Sequence, residues 1–109
     1  MTRALLSNAG GQLLRSLIVR TQLSPDRISV GRFHSVDWQS LTFTGERHEF
    51  SLRLAGPDPA PALALLRCDL AKVEWSLIGH VVADILIVGE KLSPDGTILV
   101  EIEALTLTD

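Results

Sequence analysis

The clearest pattern along the chain is a strict alternation of apolar and polar side chains at residues 47–55. Phe50, Leu52 and Leu54 alternate with charged and hydroxyl-bearing residues. Successive side chains of a strand point to opposite faces, so this period of two predicts a strand with one buried face and one polar face.

A second strand is predicted at residues 27–37, where the apolar positions recur with a change of phase. The phase changes near Gly31, which indicates a β-bulge, the insertion of one extra residue into a strand. A polar link, residues 39–46, joins this strand to the alternating one. We single out Phe43 as the large apolar residue of the link.

Two segments carry apolar residues at helical spacing. The first lies within residues 1–26, which predict an N-terminal helix over residues 3–19 or an arm followed by a short helix, because two consecutive glycines weaken the helical pattern. The second predicts a helix over residues 60–71. Asp58 is expected to cap that helix, with Pro59 at its first position.

The last third of the chain predicts two more strands joined by a turn. Residues 81–88 are apolar on both faces except for Asp84, so we expect a central strand covered on both sides, or one covered by another subunit. Residues 93–96 form a turn, with proline second and glycine last. In the final strand, residues 97–108, the apolar phase flips at residues 104–105, which indicates a second bulge.

The predicted order of elements is α-β-β-α-β-β, and its short links favour hairpins. We therefore expect an α+β fold, a four-stranded antiparallel sheet with two helices packed on one face. The 109 residues suit a single domain over residues 1–109. No apolar run is long enough to span a membrane. The single cysteine, Cys68, excludes a disulfide framework and a cysteine-based zinc site.

Charge divides unevenly along the chain, although the net charge is only −3. Residues 1–55 hold seven basic and four acidic side chains, whereas residues 56–109 hold three basic and nine acidic ones. One interpretation is that the two halves interleave in space and the asymmetry averages out. The other is a bipolar surface that favours head-to-tail self-association through complementary patches.

No motif for catalysis or for binding a metal or cofactor emerges. The three histidines lack the spacing of a metal pair, and the scattered glycines match no phosphate-binding loop. Residues 34–37 contain Ser, His and Asp, but alternation along a strand places His34 and Asp37 on opposite faces. We therefore expect no catalytic residue, no metal and no cofactor.

Interface candidates are easier to identify than catalytic ones. Tryptophan is enriched at interface hot spots, and Asp84 is either an ordinary edge or lumen-facing carboxylate or a residue that fixes the register between subunits. Two acidic residues lie on the polar face of the last strand. The candidates are Trp38, Phe43, Arg47, Arg53, Asp84, Glu101 and Glu103.

A set of short motifs spans residues 28–108. An Asp-Trp stretch closes the first strand, Gly-Glu-Arg-His opens the second, Leu-Ile-Gly-His precedes the third and Ala-Leu-Thr lies in the last, at residues 37–38, 45–48, 77–80 and 104–106. This order of motifs resembles the tail-completion, or tail-terminator, family of long-tailed phages and gene transfer agents.

The resemblance implies an α+β subunit that assembles with itself into a six-fold ring. Such a ring caps the head-proximal end of the tail tube, stops tube polymerisation and joins the tube to the head-side connector. DNA passes through the ring without specific binding. The implied location is the tail or neck of a phage-like particle assembled in the bacterial cytoplasm, and neither an enzyme nor a cofactor is implied.

Two other hypotheses remain open from the residues alone. The chain is alternatively a small non-catalytic adaptor that docks a partner through Trp38, Phe43 and the polar link. The third hypothesis, a small enzyme, needs at least two titratable side chains that converge in a cleft, with the candidates His34, Asp37 and His80.

Overall fold

A computed structural model describes residues 7–68 and 70–108. The four strands form one antiparallel sheet in the order β1-β2-β4-β3. The α+β class and the four-stranded antiparallel sheet are confirmed, with the elements in the order α1 (Asn8–Thr21), β1 (Ile28–Gln39), β2 (Thr44–Leu54), α2 (Ala60–Arg67), β3 (His80–Leu92) and β4 (Ile98–Thr108).

Helix α1 begins at a capped N-terminus and contains the glycine pair that the sequence suggested would weaken it. The Ser7 hydroxyl accepts a hydrogen bond of 3.0 Å from the backbone N–H of Gly10, and Gln22 ends the helix in a left-handed conformation. A Cβ at Gly10 would lie 2.7 Å from the Phe33 ring, so glycine lets the helix approach the sheet closely. The predicted arm is therefore wrong for residues 8–21, and residues 1–6 lie outside the described residues.

The link between β1 and β2 is shorter than predicted. It comprises residues 40–43 rather than 39–46, because the ladder of paired residues continues to the tip of the hairpin. The predicted bulge near Gly31 is confirmed by a register shift between Val30 and Arg32. At this bulge the Ser51 hydroxyl accepts a 3.0 Å hydrogen bond from the Arg32 N–H.

Helix α2 differs from its prediction at both ends. Pro59, not Asp58, occupies the N-cap position, and no side chain caps the helix. The helix ends at Arg67, and the predicted extension to residue 71 instead becomes a separate 3₁₀ turn, Leu70–Lys72. Leu70 is buried and packs in the core, so the turn keeps this apolar contact while the chain changes direction.

Strand β3 is an edge strand, which corrects the expectation of a central strand covered on both sides. Its apolar side chains on the outward side remain exposed, with Val88 47% exposed. Burial alternates without a break along β4, so the predicted bulge at residues 104–105 is also wrong. The irregularities lie in the neighbouring strand instead, where the register shifts between Val82 and Asp84 and between Ile87 and Gly89.

The hydrophobic core lies between the two helices and one face of the sheet. Buried residues of α1, α2 and all four strands form one cluster. This single layer of helices covers one sheet face, as packing of an amphipathic sheet requires. The fully buried large side chains of the cluster include Leu13, Leu17, Phe50, Leu52, Leu54, Leu66, Val100 and Ile102.

Candidate functional site

The face of the sheet that points away from the helices, here called the outer face, has no second layer over it among the residues described. Its side chains alternate with the core positions along the strands. The strand register places six of the seven interface candidates on this face, and the seventh, Phe43, lies in the hairpin link. The six are Trp38, Arg47, Arg53, Asp84, Glu101 and Glu103.

The outer face carries opposite charges on its two sides. The β1–β2 side has three arginines against one glutamate, whereas the β4–β3 side has three carboxylates against one lysine. The strand order explains this split, because each hairpin stays on its own side of the sheet. The two halves of the sequence therefore do not interleave on this face. On the β1–β2 side these residues are Arg32, Arg47, Arg53 and Glu49. On the β4–β3 side they are Glu101, Glu103, Asp84 and Lys91.

One ion pair crosses between the two sides. Arg32 on β1 extends over Ser51 to Glu101 on β4, with a closest N–O distance of 3.7 Å. Both side chains are largely in water, at 64% and 46% exposure. An exposed pair of this kind contributes little to stability, so most of the charge on the outer face remains available to a partner.

The end of the outer face nearest the β1–β2 hairpin is apolar. The last row across the four strands is Trp38, Gly45, Leu107 and Val81, in which Val81 is 49% exposed and Trp38 and Leu107 are half-buried. The next row alternates apolar Val36 and Leu105 with charged Arg47 and Asp84. Apolar side chains gathered at one end of an uncovered sheet favour burial against another protein surface.

The tip of the β1–β2 hairpin exposes two large apolar side chains. Leu41 is fully exposed and Phe43 is 53% exposed. The tip has a defined conformation, because the Ser40 N–H donates to the Phe43 carbonyl at 2.9 Å and the Phe43 N–H donates to the Ser40 hydroxyl at 3.1 Å. Leu41 was not among the predicted interface residues. It could have been identified from the sequence, because it is an apolar residue within a polar link.

A chain of three polar side chains, two of them buried, crosses the core face near the hairpin. His48 is fully buried, with its Nδ1 2.6 Å from the Ser35 Oγ and its Nε2 2.9 Å from the Thr106 Oγ1. Burial lowers the pKa of His48 from its ordinary value, Glu46 opposes this shift and His80 adds to it. Burial thus favours the neutral form of the imidazole, which lies between two hydroxyl groups.

This chain brings a serine and a histidine together as a nucleophile and base would be, but its third member is a threonine hydroxyl. A triad needs a carboxylate to orient and stabilise the imidazolium. The register places His34 on the outer face and Asp37 on the core face, so these two candidates do not converge. Among the residues that the structure describes, no group of His, Cys, Asp and Glu could hold a metal ion.

Asp37 and His80 do share a small cavity beside the hairpin. Its volume is about 400 Å³, and Glu46 and Thr106 also line it. Two of the three titratable candidates of the enzyme hypothesis thus line one cavity, and His34 does not. The pairing of Ser35 with His48 was not predicted, because it depends on the register of the β1–β2 hairpin.

In comparisons with known proteins, no family model, curated protein or solved structure matches this chain. Across residues 7–68 and 70–108, no helix combines the length and the apolar character that a membrane crossing requires. The outer face and the hairpin tip are therefore the features from which a function can be argued.

Proposed function

We propose that this chain is the ring-forming subunit that caps the head-proximal end of a phage-like tail tube. The ring ends tube polymerisation and joins the tube to the head-side connector. The proposal combines the resemblance of residues 28–108 to tail-completion proteins with the surface of the fold. It assigns the chain a structural role without catalysis or a cofactor.

The uncovered outer face is the observation that carries the proposal. A four-stranded sheet with one face in the core usually presents a polar second face to water. Here that face exposes Val36, Val81 and Leu86, each between 43% and 49%. A ring would enclose these side chains, whereas a monomer leaves them in water.

The division of charge on the outer face supports contacts between unlike surfaces. A ring closes through head-to-tail contacts, in which each subunit offers two different complementary patches. The arginine-bearing side of one copy and the carboxylate-bearing side of the next attract each other at low ionic strength.

Both edge strands are unsuited to simple edge-to-edge pairing along their whole length. A register shift interrupts β1 between Val30 and Arg32, and two shifts interrupt β3. Bulges twist an edge and leave residues unpaired, which is a common protection against strand addition. Side-chain surfaces are therefore better candidates for the ring contact than a continuous ladder.

Carboxylates on the central strand also fit a passage for DNA. Glu101 and Glu103 lie on the outer face of β4, and an acidic wall does not hold phosphate. A ring in which only these carboxylates border the lumen, while the apolar side chains of the face pack between subunits, lets DNA pass without specific binding. The flanking arginines are then available to contacts between subunits.

Disruption of the gene in the particle-producing cell tests the proposal directly. We expect tail tubes of uncontrolled length that are not joined to heads, as seen by electron microscopy. Complementation with the intact gene should restore tails of normal length. Joined particles with normal tails in the disrupted strain would overturn the proposal.

The exposed hairpin tip favours a second candidate, a small adaptor that docks a partner through Trp38 and Phe43. Light scattering coupled to size exclusion separates the two functions on the purified chain and on assembled particles. A ring recovered from particles supports the first function. A single copy bound to one partner protein supports the second.

A further inference from the structure

A groove on the helical layer, here called the helix groove, lies outside the site already described. Its volume is about 700 Å³, and it runs between the second half of α1 and the segment that follows α2. Val19, Leu65 and Trp75 give it an apolar floor and wall, and Val19 is 75% exposed. Its shape is therefore that of a socket for apolar side chains.

The walls of the helix groove are fixed to each other by hydrogen bonds. The Arg20 guanidinium donates to the Cys68 carbonyl. The Gln12 side chain donates to the Ile78 carbonyl at 3.1 Å and accepts from the Ile78 N–H at 2.7 Å. These bonds hold the segment after α2 against α1, so the groove is formed before any partner binds.

The hairpin tip matches the helix groove in both polarity and charge. The tip presents Leu41 and Phe43, and Asp37 and Glu46 lie at its base. The groove presents an apolar floor beside two arginines, Arg15 and Arg20, and one glutamate, Glu74, so its lining carries a net positive charge. Within residues 7–68 and 70–108, neither the two carboxylates of the tip nor the two arginines of the groove form an ion pair.

The tip and the groove lie toward opposite ends of the molecule, so one copy cannot fill its own groove. The tip extends beyond the ends of β1 and β2. The groove lies along the half of α1 that leads into the start of β1, at the other end of the sheet. The molecule is 46 Å long, with the hairpin tip, here also called the knob (Leu41 and Phe43), at one end and the helix groove toward the other.

We propose that the hairpin tip of one copy inserts into the helix groove of a second copy. Leu41 and Phe43 then contact Val19, Leu65 and Trp75, while Asp37 and Glu46 face the two arginines. Repetition of this head-to-tail contact closes into a ring when the rotation permits. The inference deepens the proposed function and rests on it for closure, but the contact between two copies is testable by itself.

The test uses two variants of the full chain, each lacking one partner of the contact. Leu41→Ser with Phe43→Ser removes the knob, and Val19→Glu places a charge in the groove. All three positions are exposed, so folding should be retained. We expect sedimentation velocity to show self-association of the wild type and at least about 100-fold weaker self-association of each variant, from the lost apolar burial.

Mixing the two variants gives the decisive result. The Val19→Glu chain keeps its knob and the Leu41→Ser, Phe43→Ser chain keeps its groove, so the mixture should form a one-to-one dimer and nothing larger. Leu92→Ser, at an exposed apolar position outside the contact, is the matched control and should associate like the wild type. The charge match between the hairpin tip and the helix groove is tested with Arg15→Glu. This variant should associate with itself more weakly than the wild type does. Association should return when it is mixed with the Asp37→Arg variant.

Three results would overturn the contact. They are a monomeric wild type at all concentrations, wild-type association by either variant, and failure of the two variants to pair. Loss of association in the groove variant alone would show that the groove receives another segment of the second copy. Intact rings on particles that carry the knob variant would refute this contact while leaving the ring function standing.

Discussion

The two faces of the sheet are built from alternate residues of the same strands, yet they have opposite relations to water. On β4, Val100 and Ile102 are almost completely buried beneath the helices, whereas the adjacent Glu101 and Glu103 are half-exposed. The helix-covered face therefore holds the fold together. The outer face is free to carry apolar side chains and separated charges that the fold itself does not use.

The comparison shows where a substitution should affect stability and where it should affect assembly. A side chain on the covered face leaves a cavity when it is truncated. A side chain on the outer face loses few contacts, because no layer lies over it in the described structure. Substitutions that lower stability should thus recur at every second residue of a strand. Substitutions that weaken self-association should lie at exposed positions.

The largest expected effect is the difference between two leucines on opposite faces. Leu52 is fully buried and Leu86 is 43% exposed. Leu52→Ala should lower the free energy of unfolding by about 3 kcal/mol because it opens a core cavity, and Leu86→Ala by about 0.5 kcal/mol. Urea denaturation measures both, and equal losses would show that the outer face is also packed in the isolated chain.

A smaller difference is expected between two histidines. His48→Ala leaves the hydroxyl groups of Ser35 and Thr106 without their imidazole partner and opens a cavity, which should lower stability by about 2 kcal/mol. His34→Ala, at an exposed outer position, should change it by about 0.5 kcal/mol or less. Thermal unfolding of both variants checks this, and a harmless His48→Ala would mean that the polar chain is dispensable.

The buried histidine should also make the fold sensitive to acid. Burial lowers the pKa of His48, so the unfolded chain binds a proton more readily than the folded one. The contribution of neutral His48 to stability is therefore complete above the ordinary histidine pKa of about 6.5. It is lost as the pH falls below that value toward the pKa in the folded state. Urea denaturation at mildly acidic and mildly alkaline pH should show this loss.

The control for the acid effect removes the titrating group. His48→Gln should flatten the dependence between those two pH values, although it lowers stability at both, whereas His34→Gln should leave the dependence as in the wild type. A dependence unchanged by His48→Gln would assign the acid sensitivity to other groups. Asp26 and Asp95, whose pKa values are lowered by hydrogen bonds, stay ionised in the mildly acidic condition and do not contribute.

The smallest expected effect concerns the ion pair on the outer face. A double-mutant cycle with Arg32→Gln and Glu101→Gln should give a coupling of about 0.5 kcal/mol or less, because both side chains are exposed. The coupling should disappear in concentrated salt, where exposed charges are screened. A larger coupling that resists salt would mean that this part of the outer face is shielded from water.

Local patterns predicted the elements well where the spacing of apolar side chains alone decides the structure. Alternation at residues 47–55 identified β2, and the change of phase near Gly31 identified the bulge, because both follow from which side chains are apolar. Of the two alternatives for residues 81–88, the central strand covered on both sides was wrong, and coverage by another subunit stays a prediction. Apolar side chains on both faces are compatible with a central strand or with an edge strand in an assembly, and the local sequence does not distinguish these.

The candidate site was foreseen only in part, for the same reason. Trp38, Arg47 and Glu101 were chosen by residue type and position in a strand, and the register then placed them on one face. Leu41 was missed because the predicted link was too long and polar on average. The pairing of Ser35 with His48 depends on the hairpin register, which a single-residue change in link length would alter.

The sequence by itself determined the period of each strand, the two helices, the turns and the unequal charge of its two halves, because these depend on neighbours within a few residues. Only the tertiary structure decided that β3 is an edge and that the two charged halves lie side by side. It alone placed the hairpin tip and the helix groove toward opposite ends. Those facts depend on how distant segments pair, and strand pairing is set by the competition of all segments for one core.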